Sequence, residues 1–372
     1  MRISVLGAGR VGSEIAGDLL RSGHTVSCAD ISGLRLSTLA EGVRGVRADL
    51  SEPAAVSRVT QGCDLAVNAV PGFMGFGTLR HLLVSGLDVV DISFAPEDPL
   101  GLDNIARRSG SRCIVDMGVA PGCSNLFLGH LLSLHGSLRS FRCLVGGLPQ
   151  DPIKPWQYRA PFSPVDVIEE YTRLARIVRG GQIVSLPALS EPEPVDIPGV
   201  AELEAFLTDG LRSLLRMAPR VPRMEEKTLR YPGHRDLVSC LRESGFFDTE
   251  PLSLPGPGGS TFIPLEATTA ILLREWEMEP DYRDITVMVI EAETSEGERK
   301  RWTMVDRYDD DAGTTSMART TGYTCTAGVS LLSRGLWSSP GVYAPEDLAA
   351  DSRCFQAVMD HLRSRGVVFR EE

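Results

Sequence analysis

A glycine-rich hexapeptide, Gly7-Ala8-Gly9-Arg10-Val11-Gly12, follows a short apolar run at once and opens an amphipathic stretch. Placed between a strand and a helix, that spacing constrains the chain strongly. Gly7 permits a tight turn, Gly9 lets the backbone approach a pyrophosphate with no Cβ in the way, and Gly12 lets helix and strand pack closely. The helix N-terminus, including the backbone of Arg10 and Val11, then offers free N–H groups and a positive dipole end to phosphates. Asp30 ends the next strand, 18 residues after Gly12. An acid there accepts hydrogen bonds from the adenine ribose hydroxyls and repels a 2′-phosphate. Ile31-Ser32 supply no nearby arginine, so NAD is expected over NADP. The plainer reading is a glycine-rich turn without a cofactor.

Short apolar strands are expected at 3–6, 25–29, 45–48, 65–69, 89–92 and 113–115, with amphipathic helices such as 11–21 and 78–85 between them. Strands that alternate with helices imply parallel βαβ units and a doubly wound α/β sheet, a Rossmann domain over residues 1–122. Ligands bind at the carboxyl ends of such strands. Asp49, Ala69-Val70-Pro71 and Asp91-Ile92-Ser93 stand at those ends. Asp49 reads equally as an adenine contact or a residue starting a helix. The backbone at Pro71 either holds the nicotinamide ribose or simply ends a strand.

The pattern changes near residue 120, where Pro and Gly become frequent. Longer strands at 285–293 and 299–305 flank a Ser295-Glu296-Gly297 turn, which predicts an antiparallel hairpin. Helices are expected at 164–179, 201–215 and 235–244, a surface loop at 251–264, and a long helix from Ser316 towards Gly335. One more helix is expected over 345–364. An α+β domain over 123–315 would then be followed by C-terminal helices, 316–372, packing back on the first sheet.

The net charge of −11 argues against nucleic acid and anionic membranes, which need a basic face. No apolar run reaches the ~20 residues of a membrane span. A strand directly after Met1 leaves no room for a signal peptide, so a cytoplasmic protein is expected. The eight cysteines show no CxxC pair or zinc spacing and read as reduced thiols.

Several stretches of the second half are more specific: Gly146-Gly147-Leu148-Pro149, Ala160-Pro161-Phe162-Ser163-Pro164-Val165-Asp166, Asp209-Gly210-Leu211-Arg212-Ser213 and Lys227-Thr228-Leu229-Arg230-Tyr231-Pro232-Gly233-His234. With the N-terminal fingerprint and Asp116-Met117-Gly118-Val119-Ala120-Pro121-Gly122, the chain resembles the saccharopine dehydrogenase superfamily over roughly residues 1–365. Its lysine 6-dehydrogenase branch is the most similar. The resemblance implies a Rossmann domain with an α/β substrate and dimerisation domain, hence a homodimer. It also implies NAD-dependent oxidation of the lysine ε-amine, giving ammonia and an aldehyde that cyclises. The saccharopine-forming branch generally has Ser-Pro-Arg where this chain has Ser163-Pro164-Val165. That departure suggests a substrate with fewer carboxylates.

The expected substrate is a small amino acid, which needs a cation for its carboxylate and anions for its amines. Arg230 is the candidate carboxylate clamp because a planar guanidinium fits a carboxylate bidentately; a surface strand arginine is the bland alternative. Arg212 is a second clamp candidate. Asp166 is a candidate amine partner, or part of a capping-box-like helix start with Ser163. Glu170 either reaches the site or belongs to a solvated face with Glu169 and Arg173. His234 is a possible proton shuttle or a polar helix start, and Tyr158 a donor or an interface aromatic. Asp91 is placed where nicotinamide and substrate meet. Ser316 and Arg319 are placed to close the pocket. Asp306, Asp309, Asp310 and Asp311 read as a solvated loop, with no metal site. Two other readings stay open: an imine reductase of the saccharopine or carboxynorspermidine type, and a dinucleotide sensor without turnover.

Overall fold

The computed structural model describes residues 1–160, 164–255, 260–279 and 282–372, with only the backbone for 164–166. Strands and helices alternate through the N-terminal part. They are β1 (Arg2–Leu6), α1 (Arg10–Arg21), β2 (Thr25–Asp30), α2 (Gly33–Ser37), β3 (Arg44–Arg47), α3 (Pro53–Thr60), β4 (Leu65–Asn68), α4 (Gly72–Val84), β5 (Asp88–Asp91), α5 (Asp103–Ser109) and β6 (Arg112–Ile114). The strands pair in parallel in the order β6-β5-β4-β1-β2-β3. Helices cover both faces, so β1 and β4 are apolar on both sides and Ile3, Val5, Leu65 and Val67 are fully buried. The winding reverses at β1, which lies between β2 and β4. A crevice opens at that reversal, beyond the carboxyl ends of the strands.

The chain continues through α6 (Cys123–His135), β7 (Leu138–Pro149), α7 (Pro164–Thr172), β8 (Leu174–Arg179), β9 (Gln182–Pro187), β10 (Glu193–Val195), β11 (Leu203–Leu207) and β12 (Arg223–Arg230). Then come α8 (His234–Glu243), β13 (Leu252–Ser253), β14 (Thr261–Phe262), α9 (Pro264–Glu275), β15 (Asp284–Thr294) and β16 (Arg299–Arg307). Last are α10 (Ser316–Ser333), β17 (Gly341–Tyr343), α11 (Pro345–Ala349), α12 (Ser352–Arg363) and β18 (Arg370–Glu371). A second, mixed sheet runs β10-β11-β12-β7-β15-β16-β18, with β8 and β9 extending from β12. The β15–β16 hairpin forms as its turn signal implied.

Three helix expectations fail. The helix from Pro164 stops at Thr172, and 174–179 is strand β8. There Ala175 and Ile177 point inward while Arg176 points out, a period of two. Gly180 and Gly181, both with positive φ, then turn the chain into β9. The helix expected at 201–215 is β11 followed by a 3-10 turn, Arg212–Met217. Its run of buried apolar residues mimics a helical face, but β12 supplies an antiparallel backbone partner. The helix at 345–364 is two helices, because Asp351 caps α12 by accepting the Arg353 N–H at 2.9 Å. The loop at 251–264 carries a two-residue ladder, β13 with β14.

The C-terminal segment does return. β17 pairs in parallel with β6, and α10 lies against α1. Asp18 of α1 accepts the Thr326 hydroxyl at 2.6 Å and Arg365 Nε at 2.8 Å. The eight cysteines are free thiols. Among the described residues, no helix is long and apolar enough to cross a membrane, and no group of His, Cys, Asp and Glu is arranged to hold a metal.

Candidate active site

A cavity of about 1520 Å³ lies between the two sheets and is lined from both. Small-ligand pockets usually span about 300–1,000 Å³. The volume therefore suits a dinucleotide and a substrate together.

One end is the glycine loop, with Gly7 to Gly12 all lining it. Gly7 has φ 106°, and a Cβ at Gly12 would overlap the Gly7 carbonyl oxygen, so turn and helix can pack this closely only without side chains. A Cβ at Gly9 would meet open space, which leaves a shallow bed in front of the N-terminus of α1. Asp30 accepts the Ala8 N–H and the Ser32 N–H, both at 2.8 Å. Its carboxylate thus fixes the loop and stands at the rim of the same bed. Ala69, Val70, Pro71 and Ser93 form the wall beyond. Arg10 crosses the cavity and donates to the Met278 carbonyl at 2.9 Å. These residues fit a dinucleotide: bed, dipole and acid converge.

Two expectations about this end are corrected. An arginine does stand beside Asp30: Arg35, one turn into α2, lies 3.6 Å away. Asp49 is exposed, away from the cavity lining, and accepts the Ser51 hydroxyl and N–H at 2.6 and 3.0 Å.

The other end is the second sheet. On β12, Glu226, Thr228 and Arg230 alternate into the cavity, facing Glu170 of α7 and Asp209 beyond β11. Arg230 is buried. Its Nε donates to the Tyr171 hydroxyl at 2.9 Å, and its Nη1 to the Leu229 carbonyl at 2.9 Å. The guanidinium also lies over the Tyr158 ring, 4.4 Å from its centroid. Among the described residues, the Nη2 edge has long contacts, 3.5 Å to the Tyr158 hydroxyl and 3.8 Å to Glu170. Arg230 is therefore a fixed cation with one lightly held edge.

Glu226 was not singled out in the sequence. It sits in the charged run Glu225-Glu226-Lys227, which reads as a solvated face. The signal was its spacing of four from Arg230, which puts both on one face once 223–230 is a strand. Its side chain is buried. Burial, reinforced by Glu170 and Asp209, pushes its carboxyl up to about 8.

Several other expectations change. His234 does not line the cavity and is completely buried. Its Nδ1–H donates to the Trp156 carbonyl at 2.8 Å, and its Nε2 accepts the Tyr171 hydroxyl at 3.1 Å. Burial and the Arg230 charge lower it to about 3, so it stays neutral and positions Tyr171 rather than shuttling protons. Tyr158 lies beneath Arg230, off the lining. Arg212 is no clamp. Its Nε donates to both oxygens of Asp116 at 3.1 Å and its Nη1 to the Ala95 carbonyl at 3.0 Å, tying the two units together.

Asp91 lies behind the wall, accepting Asn68 Nδ2 at 2.6 Å and the Ser93 N–H and hydroxyl at 2.8 Å. Burial pushes it up to about 7 despite those bonds. It positions Asn68 and Ser93 and does not line the cavity. Ser316 and Arg319 do not close the pocket; Met317, Ala318 and Thr321 line it instead. Arg319 pairs with Asp309 and, at 3.5 Å, with Asp306, which is buried and not a solvated loop residue. The side chain of Asp166 and the capping role of Ser163 lie outside the described residues.

Two family models match in tandem. The one described as "Saccharopine dehydrogenase NADP binding domain" covers residues 3–114, and "Saccharopine dehydrogenase C-terminal domain" covers 118–367. Among curated proteins, a saccharopine dehydrogenase (NADP(+), L-glutamate-forming) of Schizosaccharomyces pombe is 23% identical over 94% of this chain and 93% of its own. Its namesake in Pyricularia oryzae is 24% identical over 67% of this chain and 58% of its own. Among solved structures, the L-glutamate-forming saccharopine dehydrogenase of Saccharomyces cerevisiae superposes with a TM-score of 0.80 at 18% identity, covering 100% of this chain and 99% of its own. A homospermidine synthase of Legionella pneumophila gives 0.70 at 11% identity, with 100% and 91% covered.

Proposed function

The chain belongs to the saccharopine dehydrogenase family, and from that premise we propose that it oxidises the terminal amine of L-lysine with NAD, releasing ammonia and an aldehyde that cyclises. The observation that carries this reading is the charge arrangement of the substrate end: three acids, Glu226, Glu170 and Asp209, the last paired with Arg176 at 2.8 Å, share the cavity with the fixed cation Arg230. A substrate with one carboxylate and a cationic amine complements that set. One with three carboxylates places like charge against the acids, and partly buried charge without a partner is costly.

Arg230 holds the α-carboxylate through its Nη2 edge, and Tyr171, backed by His234, keeps the guanidinium in place. The acid wall receives the amine end. Ser93, steadied by Asp91, and the Val70-Pro71 wall shape the space between. The dinucleotide, held by the glycine loop and Asp30, supplies the hydride acceptor.

NAD is proposed as the cofactor because Asp30 presents a carboxylate at the adenosine end. A second reading, a saccharopine-type reductase using NADP, is favoured by Arg35 beside Asp30 and by the names of the fungal relatives. Initial rates with lysine, ornithine and saccharopine, each with NAD and NADP, separate the two. Preferred turnover of saccharopine with NADP would replace the first reading by the second.

A further inference from the structure

Among the described residues, most buried acids are supplied with donors; Asp306 leaves its Oδ2 without one but has the Arg319 guanidinium 3.5 Å from its other oxygen, whereas Glu226 has no such cation. Asp18 has Thr326 and Arg365, Asp91 has Asn68 and Ser93, and Asp284 accepts the first N–H groups of α10, from Ser316 and Met317. Glu346 has Asn125 and Arg216. Glu226 is only 5% exposed. Among the described residues, none donates to its Oε2. The groups with charge around it do not fill the gap. Glu170 and Asp209 repel it, the Cys143 thiol lies behind it on β7, and the Arg212 guanidinium is committed to Asp116 and Ala95. Arg230, two places along the same face, is committed to Tyr171 and Leu229.

The carboxyl is also held from behind. Gly210 packs so closely that a Cβ there would overlap Glu226 Oε1. A buried carboxylate without donors is unstable unless it is protonated or receives a cation. The open side of Glu226 is the cavity that the dinucleotide bed shares. The acid form meets that need in the empty site, and a cationic N–H donor arriving with the ligand meets it when the site is filled.

We propose that Glu226 receives the substrate's ammonium group in this cavity and accepts its proton before hydride leaves the adjacent carbon. This rests on the amine-oxidising reading above. In the step, one N–H bond of the ammonium breaks and its electron pair stays on nitrogen. An O–H bond forms on Glu226, and both groups become neutral. No electrons are exchanged with a redox partner. The later addition of water to the iminium gives aldehyde and ammonium with no further proton. The proton stays on Glu226, which is the acid again in the empty site, and the proton that Glu226 gave up when the cation bound is the one proton that the overall oxidation releases.

At neutral pH the empty site holds Glu226 as the acid, so arrival of a cation must expel a proton. Binding of L-lysine and of n-butylammonium to the full chain is measured by calorimetry at pH 7 in two buffers of different ionisation enthalpy. About one proton should be released per cation bound, from a carboxyl that ionises near 8 only when no cation faces it. Glu226→Gln should abolish the release and weaken binding about tenfold or more, since a charged hydrogen bond is lost. Glu226→Asp, which keeps the carboxyl, should restore most of the release. With lysine as substrate, Glu226→Gln should lower kcat by about 10²–10⁴.

A wild type that binds either cation with no proton release, or a Gln variant that keeps the release, overturns the assignment. So does failure of both cations to bind. Release that depends on Glu226 in a protein that does not oxidise lysine supports the assignment and overturns only the choice of substrate.

Discussion

Asp30 and Arg35 make opposite demands on the adenosine end of a dinucleotide. The acid is buried and doubly bonded to backbone, whereas the arginine is mostly exposed. An exposed ion pair is worth little, so the fixed carboxylate should decide. Asp30→Ser should lower the NAD-over-NADP preference by about 1–3 kcal/mol, read as the ratio of kcat/KM values; a wild type that uses both equally contradicts this. Arg230→Lys should raise KM for lysine far more than for NAD, because an ammonium cannot offer the planar fork. Cadaverine, lacking the carboxylate, should be a poor substrate and nearly indifferent to the change. Unchanged lysine KM would place the clamp elsewhere. Arg230 was legible in the sequence because guanidinium chemistry is distinctive. Glu226 was not, since nothing local marks a glutamate in a charged run as buried. His234, Asp91 and Arg212 were noticed for the right chemistry and lie one layer behind the cavity, a distinction that only packing makes.

At the scale of elements, the parallel strands were legible because burial on both faces leaves continuous apolar runs. The strand β11 was not, because its partner β12 lies some way along the chain, and β8 was not, because it follows α7 with no breaking residue although its partner β9 comes directly after Gly180-Gly181. The docking of α10 and α12 on α1 depends on Asp18. Burial alone would raise its carboxyl, but hydrogen bonding from His361, Arg365 and Thr326 outweighs that and holds it at about 2. A depressed carboxyl stabilises the fold above its unfolded value and loses that contribution as pH falls through its folded value. A drop from the ordinary 3.8 to about 2 corresponds to about 2 kcal/mol. Asp18→Asn should therefore cost about that much in denaturant unfolding at pH 7. The difference should narrow as pH falls from 4 towards 2. A constant difference across that range would mean packing, not charge, is lost.

For the whole molecule, the two sheets matter through the space between them. The dinucleotide bed comes from one and the substrate end from the other, and Arg212–Asp116 and Arg10–Met278 span the gap. Neither sheet alone encloses the site. The return of the chain through α10 closes it, with Met317 and Thr321 on the lining. The sequence carried the first half of this plan in a motif and the second half only through a family likeness, because the substrate end is assembled from β12, α7 and the loop beyond β11, which no local pattern connects.

The acid wall, on the reading proposed above, selects an amine with a single carboxylate. The direct measurement is NADH formation and ammonia release, side by side, with lysine, ornithine and saccharopine. Lysine should give NADH and ammonia in equal amounts. The rate should rise from neutral to alkaline pH, as Glu226 ionises near 8 and the amine, near 10.4 when free, loses its proton. Saccharopine should be about a hundredfold poorer or worse, at about 1.4 kcal/mol per tenfold. Faster turnover of saccharopine, or NADH without matching ammonia, would contradict it.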